Sequence, residues 1–230
     1  MIENAPLLTI KKKIPRPTKK QIFSFSSVQT GHIVDAMGGL GAMDGKIKSV
    51  TDNSLVCGVA LTCQCGPADN LAAIAAIEMS SPGDIIIAST DNFEATAVMG
   101  DIMLGIAKNR GVKGFVTDGF VRDLIGIKKI GLPCFSKGAI PNSPAKNGPG
   151  KIGTPVVVGG VNVNSGDIIV GDLDGVVVVP YTQISEIIKN LDGVFVAEKE
   201  METKVNSGLK KLNLIKNIFD DGKVKEIDWI

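Results

Sequence analysis

The sequence predicts an α/β fold organised around a central βαβ unit. Two short apolar runs, residues 85–88 and Gly114–Thr117, have the length of buried strands. Residues 102–109 between them carry apolar side chains at helical spacing, and Gly111 follows as a helix end. A strand, a helix and a second strand in this order are typical of a parallel sheet with helices packed on its faces.

The segment before this unit predicts an N-terminal arm and two short helices. Residues 1–17 contain prolines and a run of lysines, which favour a solvated arm. Thr18 is the predicted N-cap of a helix that runs to about residue 25, because a threonine hydroxyl can accept a hydrogen bond from the first turn. Thr30 is the predicted cap of a second helix over residues 32–37.

Two strands and a third helix complete the part that precedes the unit. Residues 47–50 and 55–62 predict the strands, and Asp52-Asn53 between them predicts a hairpin turn that pairs them. Asp69 is the predicted N-cap of a helix that carries an apolar stripe and reaches about Met79.

The chain after the unit predicts further short strands and a charged helix. Leu124–Ile130 is a predicted helix, residues 132–135 a strand, and the glycine- and proline-rich residues 138–154 a loop. Short strands are predicted at residues 155–158, 161–163, 168–170 and 176–179. Helical spacing returns over residues 182–211, where Asp192-Gly193 is a predicted kink or break.

Composition limits the partners that the chain can be expected to have. A net charge of +1 gives no reason to expect nucleic acid or an anionic membrane as a partner. The first twenty residues contain lysines but no apolar segment behind them, which argues against a secretory signal. Since no apolar run approaches the ~20 residues needed to cross a bilayer, we expect a cytoplasmic protein.

The cysteines and the single histidine restrict the kind of metal site that the chain can build. His32 is the only histidine, and Cys63 and Cys65 alternate with polar residues as one face of a strand does. Structural zinc usually takes four soft ligands at wider spacings. We therefore expect the cysteines to be buried free thiols, and any metal to be a hard cation held by oxygen.

The start of the central helix has the features of an anion-binding site. Gly100 precedes it, and a glycine lets a ligand carboxylate approach the backbone closely. The N–H groups of Ile102 and Met103 lie in the first turn, where amides have no intrahelical partner and the helix dipole favours an anion. Asp101 in the same turn can bond a metal-bound water and help it move protons.

Arg122 and Asp123 follow the second strand of the unit, and ligands gather at the carboxyl ends of parallel strands. Arg122 offers a planar fork for a carboxylate or an enolate oxygen. Asp123 can hold a hard cation by one oxygen and leave other positions to water and substrate. With Asp101, these groups suit a small 2-oxo acid chelated to Mg²⁺ or Mn²⁺. The alternative is structural, an ion pair that closes a turn.

Asp101 and the pair Arg122-Asp123 are separated by twenty residues, and four further motifs accompany this spacing. The further motifs are Asp35-Ala36-Met37-Gly38, Pro67-Ala68-Asp69-Asn70, Leu132-Pro133-Cys134-Phe135 and Gly159-Gly160-Val161. With them the chain resembles the 4-hydroxy-4-methyl-2-oxoglutarate aldolases and their relatives, the regulator of ribonuclease E activity A (RraA) proteins.

The resemblance covers residues 28–180, which it identifies as an RraA-like α/β catalytic domain with a swivelling β/β/α arrangement. It implies a homotrimer or a hexamer with active sites in clefts between subunits. Residues 1–27 then form an N-terminal arm and helix. Residues 181–230 form a C-terminal helical extension that packs on the core or on a neighbouring subunit.

The resemblance also implies a metal-dependent pyruvate aldolase. Residues 100–103 hold the substrate carboxylate, and Asp101 among them orients a catalytic water. Arg122 binds and polarises the pyruvyl part, and Asp123 ligates Mg²⁺ or Mn²⁺. Retro-aldol cleavage of 4-hydroxy-4-methyl-2-oxoglutarate and decarboxylation of oxaloacetate both leave a pyruvate enolate, so one site can serve both reactions.

One position departs from the pattern of the relatives. Many of them carry an acidic residue three places after the aspartate of the Arg-Asp pair, where this chain has Gly126. A carboxylate of a neighbouring subunit, from Glu198, Glu200 or Glu202, could replace it. The rival function from another class is that of a non-enzymatic regulator that docks on a ribonuclease or an RNA helicase.

Overall fold

The structure, a computed structural model, describes residues 6–228, so the first five residues of the predicted arm lie outside it. The chain divides after Leu191 into two compact units. The helices are α1 (Lys19–Phe23), α2 (Thr30–Ala36), α3 (Leu71–Met79), α4 (Asp101–Asn109), α5 (Leu124–Ile130), α6 (Ile184–Asn206) and α7 (Asn213–Asp220), with a 3₁₀ turn at Tyr181–Gln183. The strands are β1 (Leu8–Ile10), β2 (Lys48–Ser49), β3 (Val56–Gln64), β4 (Asp84–Ser89), β5 (Ala97–Met99), β6 (Gly114–Thr117), β7 (Phe120–Val121), β8 (Cys134–Ser136), β9 (Gly138–Ala139), β10 (Gly150–Ile152), β11 (Val156–Val158), β12 (Val161–Val163), β13 (Ile168–Gly171) and β14 (Val176–Val179).

A nine-stranded sheet with a parallel centre forms the core of the described structure. Strands β3, β4, β6 and β8 are neighbours in this order and run parallel. Helices α3, α4 and α5 connect them, since each follows one of these strands and precedes the next. Antiparallel strands β10 and β13 pair with β3, and β2 pairs with β8. The predicted α/β class is confirmed.

A second, three-stranded parallel sheet contains β5, β7 and β9. Each of its strands follows a strand of the main sheet along the chain, so β5 comes after β4, β7 after β6 and β9 after β8. Two segments therefore have the order strand, strand, helix, namely β4-β5-α4 and β6-β7-α5. This order agrees with the β/β/α arrangement that the resemblance implied, and it starts each helix at the small sheet.

Two apolar clusters cover the two faces of the main sheet. Ile86 packs with Leu104 of α4 and Ala76 of α3 in one cluster, while Ile85 and Ile87 belong to the other. Strand β4 is buried along its whole length. Parallel strands covered on both faces have continuous apolar sequences, which explains why the run was recognisable in the sequence.

The cysteines of the described structure are free, as the sequence predicted. Cys63, Cys65 and Cys134 belong to the cluster that contains Ile86. Burial raises the pKa of the Cys134 thiol to about 12 and that of the half-buried Cys57 thiol to about 11. Such thiols stay protonated near neutral pH and are poor metal ligands.

The two predicted helix caps have different outcomes. Thr18 caps α1 as predicted, and Gln21 completes a capping box. Thr30 is instead the first residue of α2, and Asp172 accepts hydrogen bonds from its N–H and hydroxyl, both at 2.8 Å. Burial raises the pKa of Asp172, but these bonds and those from its own turn have the larger, opposite effect. The pKa of Asp172 therefore lies below its ordinary value. Local sequence could not reveal a cap that comes from 142 positions away.

The predicted hairpin at Asp52-Asn53 is wrong. Strand β2 pairs with β8, and β3 pairs with β4, β10 and β13, so the two strands that flank the turn are not partners. The turn signal is local, whereas both strands find partners that are distant along the chain. Turn residues alone therefore did not determine the pairing.

Two further predictions require correction. The predicted loop, residues 138–154, contains the short strands β9 and β10, and β10 pairs with β1 of the predicted arm. Helix α6 runs through Asp192-Gly193 without a break, and α7 follows it as a separate helix.

Within the described residues, no helix has the length and apolar character needed to cross a membrane.

Candidate functional site

The residues predicted from the sequence line one cavity of about 210 Å³. Residues 100–103 reach it from the end of β5 and the first turn of α4, and Arg122 and Asp123 from the end of β7. Strands β5 and β7 are parallel neighbours, so their carboxyl ends lie side by side. Ligand sites of α/β folds form at such ends. A larger groove of about 700 Å³, which includes Asp52 and Asp172, contains none of these residues.

Asp101 occupies one of the two amides that were expected to bind a ligand. Its Oδ1 accepts a hydrogen bond from the Ile102 N–H at 2.7 Å, and its negative charge lies at the positive end of the α4 dipole. The Met103 N–H lies in the same turn, where helix amides lack intrahelical acceptors. Of the two amides that were expected to bind a ligand, Met103 is therefore the one that Asp101 leaves open.

The Arg122 guanidinium is held by two neighbours and still reaches the cavity. Its Nε lies 3.2 Å from Asp123 Oδ2, and its Nη1 donates a hydrogen bond to Ser143 Oγ. The backbone N–H of Arg122 donates to the Met99 carbonyl at 3.0 Å, which fastens β7 to β5. Because the side chain is 37% exposed, the oriented guanidinium can still meet a ligand.

Asp123 has a left-handed backbone, with φ at 62° and ψ at 44°. This conformation costs a non-glycine residue of the order of 1 kcal/mol or more, and such residues cluster at functional sites. Asp123 occupies the N-cap position of α5, yet its side chain makes no capping hydrogen bond. The carboxylate is 45% exposed and does not cap the helix, so it can bind a ligand in the cavity.

Two glycines leave room for these side chains. A Cβ on Gly100 would lie 2.6 Å from Asp123 Oδ2 and 3.2 Å from Arg122 Nε. A Cβ on Gly126 in α5 would lie 1.9 Å from Asp101 Oδ2. The Asp101 carboxylate therefore occupies the volume that a side chain at position 126 would need. This contact explains how the chain accommodates glycine where many relatives carry an acid.

A loop that the sequence did not connect with the site supplies Ser143 and Lys146 to the cavity. Asp69 anchors this loop, because its Oδ2 accepts the Asn147 N–H while its Oδ1 accepts the Leu71 N–H at 2.9 Å. The prediction of Asp69 as the N-cap of α3 is wrong by one residue, because Asn70 holds that position, although Asp69 does bond the N–H of Leu71 in the first turn. The sequence signal for the loop was thus the Asp69 motif, but its partner lies 78 positions further along.

The carboxylates that line the cavity fit a hard cation better than a soft one. In the described part of the chain, no cluster of three or more histidine, cysteine, aspartate or glutamate side chains is placed to hold a metal. Asp101 and Asp123 are the acidic residues at the cavity wall. Mg²⁺ commonly uses one or two carboxylates and keeps several waters. The exposed Asp123 carboxylate suits that mode of binding.

The glutamates considered as replacements for an acid at position 126 lie elsewhere in the chain. Glu198, Glu200 and Glu202 are part of α6 in the second unit, where they are exposed in this single chain. Their approach to the site of a neighbouring subunit stays a prediction.

The comparisons with known proteins identify the family and the fold of the chain. Residues 30–178 match the family model described as "RraA-like: Aldolase/RraA". The chain is 39% identical over 168 residues to a Halalkalibacterium halodurans protein named "Putative 4-hydroxy-4-methyl-2-oxoglutarate aldolase", covering 73% of this chain and 80% of that protein.

Two solved structures share the fold. One is Streptomyces coelicolor RraAS2, described as an unusual member of the RNase ES inhibitor RraA protein family; it has a TM-score of 0.72 and 27% identity and covers 84% of this chain and 100% of its own. The other is the RNA-processing inhibitor RraA from Thermus thermophilis, with a TM-score of 0.63 and 25% identity over 67% of this chain and 93% of its own.

Proposed function

The chain belongs to the RraA-like family, Aldolase/RraA, and from this membership we propose that it is a carbon–carbon lyase. Its proposed substrates are 4-hydroxy-2-oxo acids such as 4-hydroxy-4-methyl-2-oxoglutarate, which it cleaves, and oxaloacetate, which it decarboxylates. The supporting observation is one cavity that combines a helix N-terminus, an oriented guanidinium and two carboxylates at the ends of parallel strands. These are the groups that a small anionic 2-oxo acid requires.

The substrate carboxylate binds at the N-terminus of α4 in this proposal. The Ile102 N–H is paired with Asp101, so the carboxylate meets the Met103 N–H and the Arg122 guanidinium. Gly100 keeps the approach open because it has no side chain. The Arg122 fork can hold a carboxylate oxygen and the 2-oxo oxygen together, which also fixes the orientation of the bond to be broken.

In aldol cleavage the 4-hydroxyl loses its proton, the bond between C3 and C4 breaks, and its electron pair forms a pyruvate enolate. In decarboxylation of oxaloacetate the corresponding bond breaks with release of CO₂ and leaves the same enolate. Arg122 stabilises the developing negative charge on the enolate oxygen. Asp101, through a water in the cavity, receives the hydroxyl proton and returns a proton to C3, which completes pyruvate.

We propose Mg²⁺ or Mn²⁺ as the cofactor, with Asp123 as its protein ligand. The fit rests on an exposed hard oxygen donor at the cavity wall. When bound, a divalent cation supplies positive charge beside the 2-oxo group. The backbone strain at Asp123 and the space above Gly100 keep the carboxylate in the position to provide that ligand.

The proposal is tested by pyruvate release from 4-hydroxy-4-methyl-2-oxoglutarate and from oxaloacetate, each with and without added Mg²⁺ or Mn²⁺. We expect release from both substrates, and only with metal. A protein that is folded and metal-loaded but releases no pyruvate from either substrate contradicts the lyase assignment.

A regulator of RNA processing is the second candidate, and the likeness to RraAS2 at a TM-score of 0.72 favours it. Fold likeness alone does not decide between a catalyst and a docking protein. The discriminating feature is Asp101, since a docking protein has no need of a carboxylate wedged between two helices at a cavity. Binding to a ribonuclease or an RNA helicase by a lyase-inactive protein would favour the regulator.

We also propose that the protein works as a homotrimer or a hexamer in the cytoplasm, where free thiols are kept reduced. The second unit exposes large apolar side chains, which in a single chain are typical of a surface that another subunit covers. They include Phe195, Val196, Met201, Leu214 and Phe219. Sedimentation at assay concentration should give a trimer or a multiple of three, and an active monomer would refute this assembly.

Gly126→Ala is expected to lower lyase activity about 10²-fold and to lower the stability of the protein as well. The new Cβ meets Asp101 Oδ2 and must displace it, and a misplacement of about 1 Å costs a catalyst of this order. The same Cβ would lie 2.7 Å from Asp101 Cβ, which side-chain rotation cannot move, so α4 and α5 must shift apart. This overlap outweighs the about 0.5–1 kcal/mol by which alanine favours a helix over glycine, and thermal unfolding should occur at a lower temperature.

The matched control is Gly105→Ala in α4. Its new Cβ would meet only Ile130 Cδ1 at 3.6 Å, an ordinary contact, so activity should stay near that of the wild type. Equal activities of the two variants would show that Asp101 does not depend on the space above Gly126.

A further inference from the structure

Asn70 is a wall residue of the cavity to which the sequence assigned no role. It belongs to the motif that anchors the loop with Ser143 and Lys146, and its backbone N–H donates to the Ala145 carbonyl at 3.1 Å. The residue is only 6% exposed, so its side chain is almost completely enclosed. A polar side chain in such a place needs partners for both ends of its amide.

One end of the Asn70 amide has a partner and the other has none. Nδ2 donates a hydrogen bond to the Val98 carbonyl at 3.0 Å. A carbonyl can only accept, so this bond fixes which end of the amide is nitrogen. Oδ1 is buried and has no hydrogen-bond donor among the described residues. Asn70 therefore has an unsatisfied acceptor that is held in one orientation, and the residue lines the site.

The position of Val98 ties this acceptor to the catalytic groups. Val98 lies in β5, two residues before Gly100, and Asn70 shares its cavity with Asp101, Arg122 and Asp123. Reordering of the amide is restricted, because turning it would place Oδ1 against the Val98 carbonyl. A donor that satisfies Oδ1 is thus best supplied by a molecule in the cavity.

The chemistry of the proposed substrates identifies that donor. A fully ionised 4-hydroxy-2-oxo diacid has acceptor oxygens throughout and a single donor, the hydroxyl on C4. Oxaloacetate in its keto form has no donor. We propose that Asn70 Oδ1 accepts a hydrogen bond from the C4 hydroxyl as the substrate binds, before this proton passes to the water at Asp101, and so selects hydroxylated substrates, an assignment that rests on the proposed lyase function.

This assignment separates the two reactions of one active site. Substrate carboxylate, 2-oxo group and enolate are common to both, and they are bound by Met103, Arg122 and Asp123. The C4 hydroxyl is present in one substrate alone. Loss of the Asn70 acceptor should therefore weaken recognition of the hydroxy acid and leave oxaloacetate almost unaffected.

The test compares kcat/KM of the wild type, Asn70→Ala and Asn70→Ser for 4-hydroxy-4-methyl-2-oxoglutarate and for oxaloacetate with Mg²⁺. We expect a fall of about 10- to 100-fold for the hydroxy acid, seen mainly as a higher KM, and a change within about threefold for oxaloacetate. The ratio of the two values on one preparation is independent of the folded fraction, so partial unfolding does not obscure it.

Asn190→Ala is the matched control, because Asn190 Nδ2 also donates to a backbone carbonyl, that of Ala36, at 3.0 Å. It does not line the cavity, and the ratio should stay that of the wild type. An unchanged ratio in both Asn70 variants, or an equal fall with both substrates, overturns the assignment while the lyase function stands. A wild type that acts on neither substrate overturns both.

Discussion

Asp123→Asn is expected to lower pyruvate release by about 10³-fold or more and to remove its dependence on divalent metal. Asparagine keeps the size of the side chain and tolerates the left-handed backbone at φ 62°, so the loop should keep its shape. What it loses is the charged oxygen that a hard cation prefers. A bound cation next to a developing enolate contributes several kcal/mol, which corresponds to a loss of this size.

The measurement combines activity with a direct readout of metal binding. Mn²⁺ titrated into the wild type in a calorimeter should show a site that Asp123→Asn lacks, and EDTA should reduce the wild type to the level of the variant. Asp91→Asn is the matched control, because Asp91 is also an exposed aspartate with a left-handed backbone, at φ 57°. It lies outside the cavity, so both activity and Mn²⁺ binding should persist. Full activity of rigorously metal-free wild type would exclude Asp123 as a metal ligand.

The central sheet was predictable because its strands are covered on both faces. Burial on both sides favours a continuous apolar run inside β4 and β6, and such a run can be recognised from the local sequence alone. Helices α4 and α5 were recognisable from spacing and from the glycines Gly111 and Gly131 after them. These elements needed no knowledge of their partners in space.

The small sheet that builds the site was not predictable in the same way. Strands β5, β7 and β9 have three, two and two residues, too few to establish a period of two. Their existence depends on pairing with each other across about twenty residues of intervening chain. The residues at the ends of these strands could therefore be identified from the sequence, whereas the strands that bring them together could not.

Some residues of the candidate site are positioned by local sequence, and others by contacts that are distant along the chain. Residues 100–103, Arg122 and Asp123 stand at helix starts or strand ends, so their positions followed from local pattern and from the family resemblance. Ser143 and Lys146 reach the cavity through a loop that Asp69 holds from 78 positions away, and local pattern carries no trace of that bond.

Gly126 is a second position whose role depends on a contact that the local sequence does not reveal. The sequence revealed that an acid was absent from this position, but the reason lies in a contact between two helices. Asp101 Oδ2 fills the space above Gly126, and α4 and α5 must first pack together for that contact to exist. The volume that a side chain at position 126 would occupy is therefore filled by the Asp101 carboxylate.

The second large effect concerns Asp101, whose carboxylate has a structural contact as well as a proposed chemical role. Its Oδ1 accepts the Ile102 N–H at 2.7 Å, and its other oxygen lies over Gly126. Asparagine has nearly the same shape, so in Asp101→Asn the amide oxygen can still accept from Ile102. The amide nitrogen fits above Gly126, but it cannot take up a proton near neutral pH.

Asp101→Asn should therefore separate binding from proton transfer. Oxalate, an analogue of the enolate, should still meet Arg122, the Met103 N–H and the metal, and bind within about threefold of its wild-type affinity. Aldol cleavage should fall by about 10²–10⁴-fold, the usual contribution of a general base. Asp44→Asn is the matched control, since Asp44 also accepts a neighbouring backbone N–H, that of Lys46 at 2.9 Å, outside the cavity.

The two roles of Asp101 give different results in this pair of measurements. If the carboxylate only capped the first turn of α4, asparagine would replace it at little cost, because the two residues cap helices about equally well. Cleavage within a few-fold of the wild type would then assign proton transfer to another group. If the carboxylate orients a water and accepts its proton, turnover collapses while oxalate binding and thermal stability remain. That result would identify Asp101 as the base, whose carboxylate occupies the space that Gly126 leaves open.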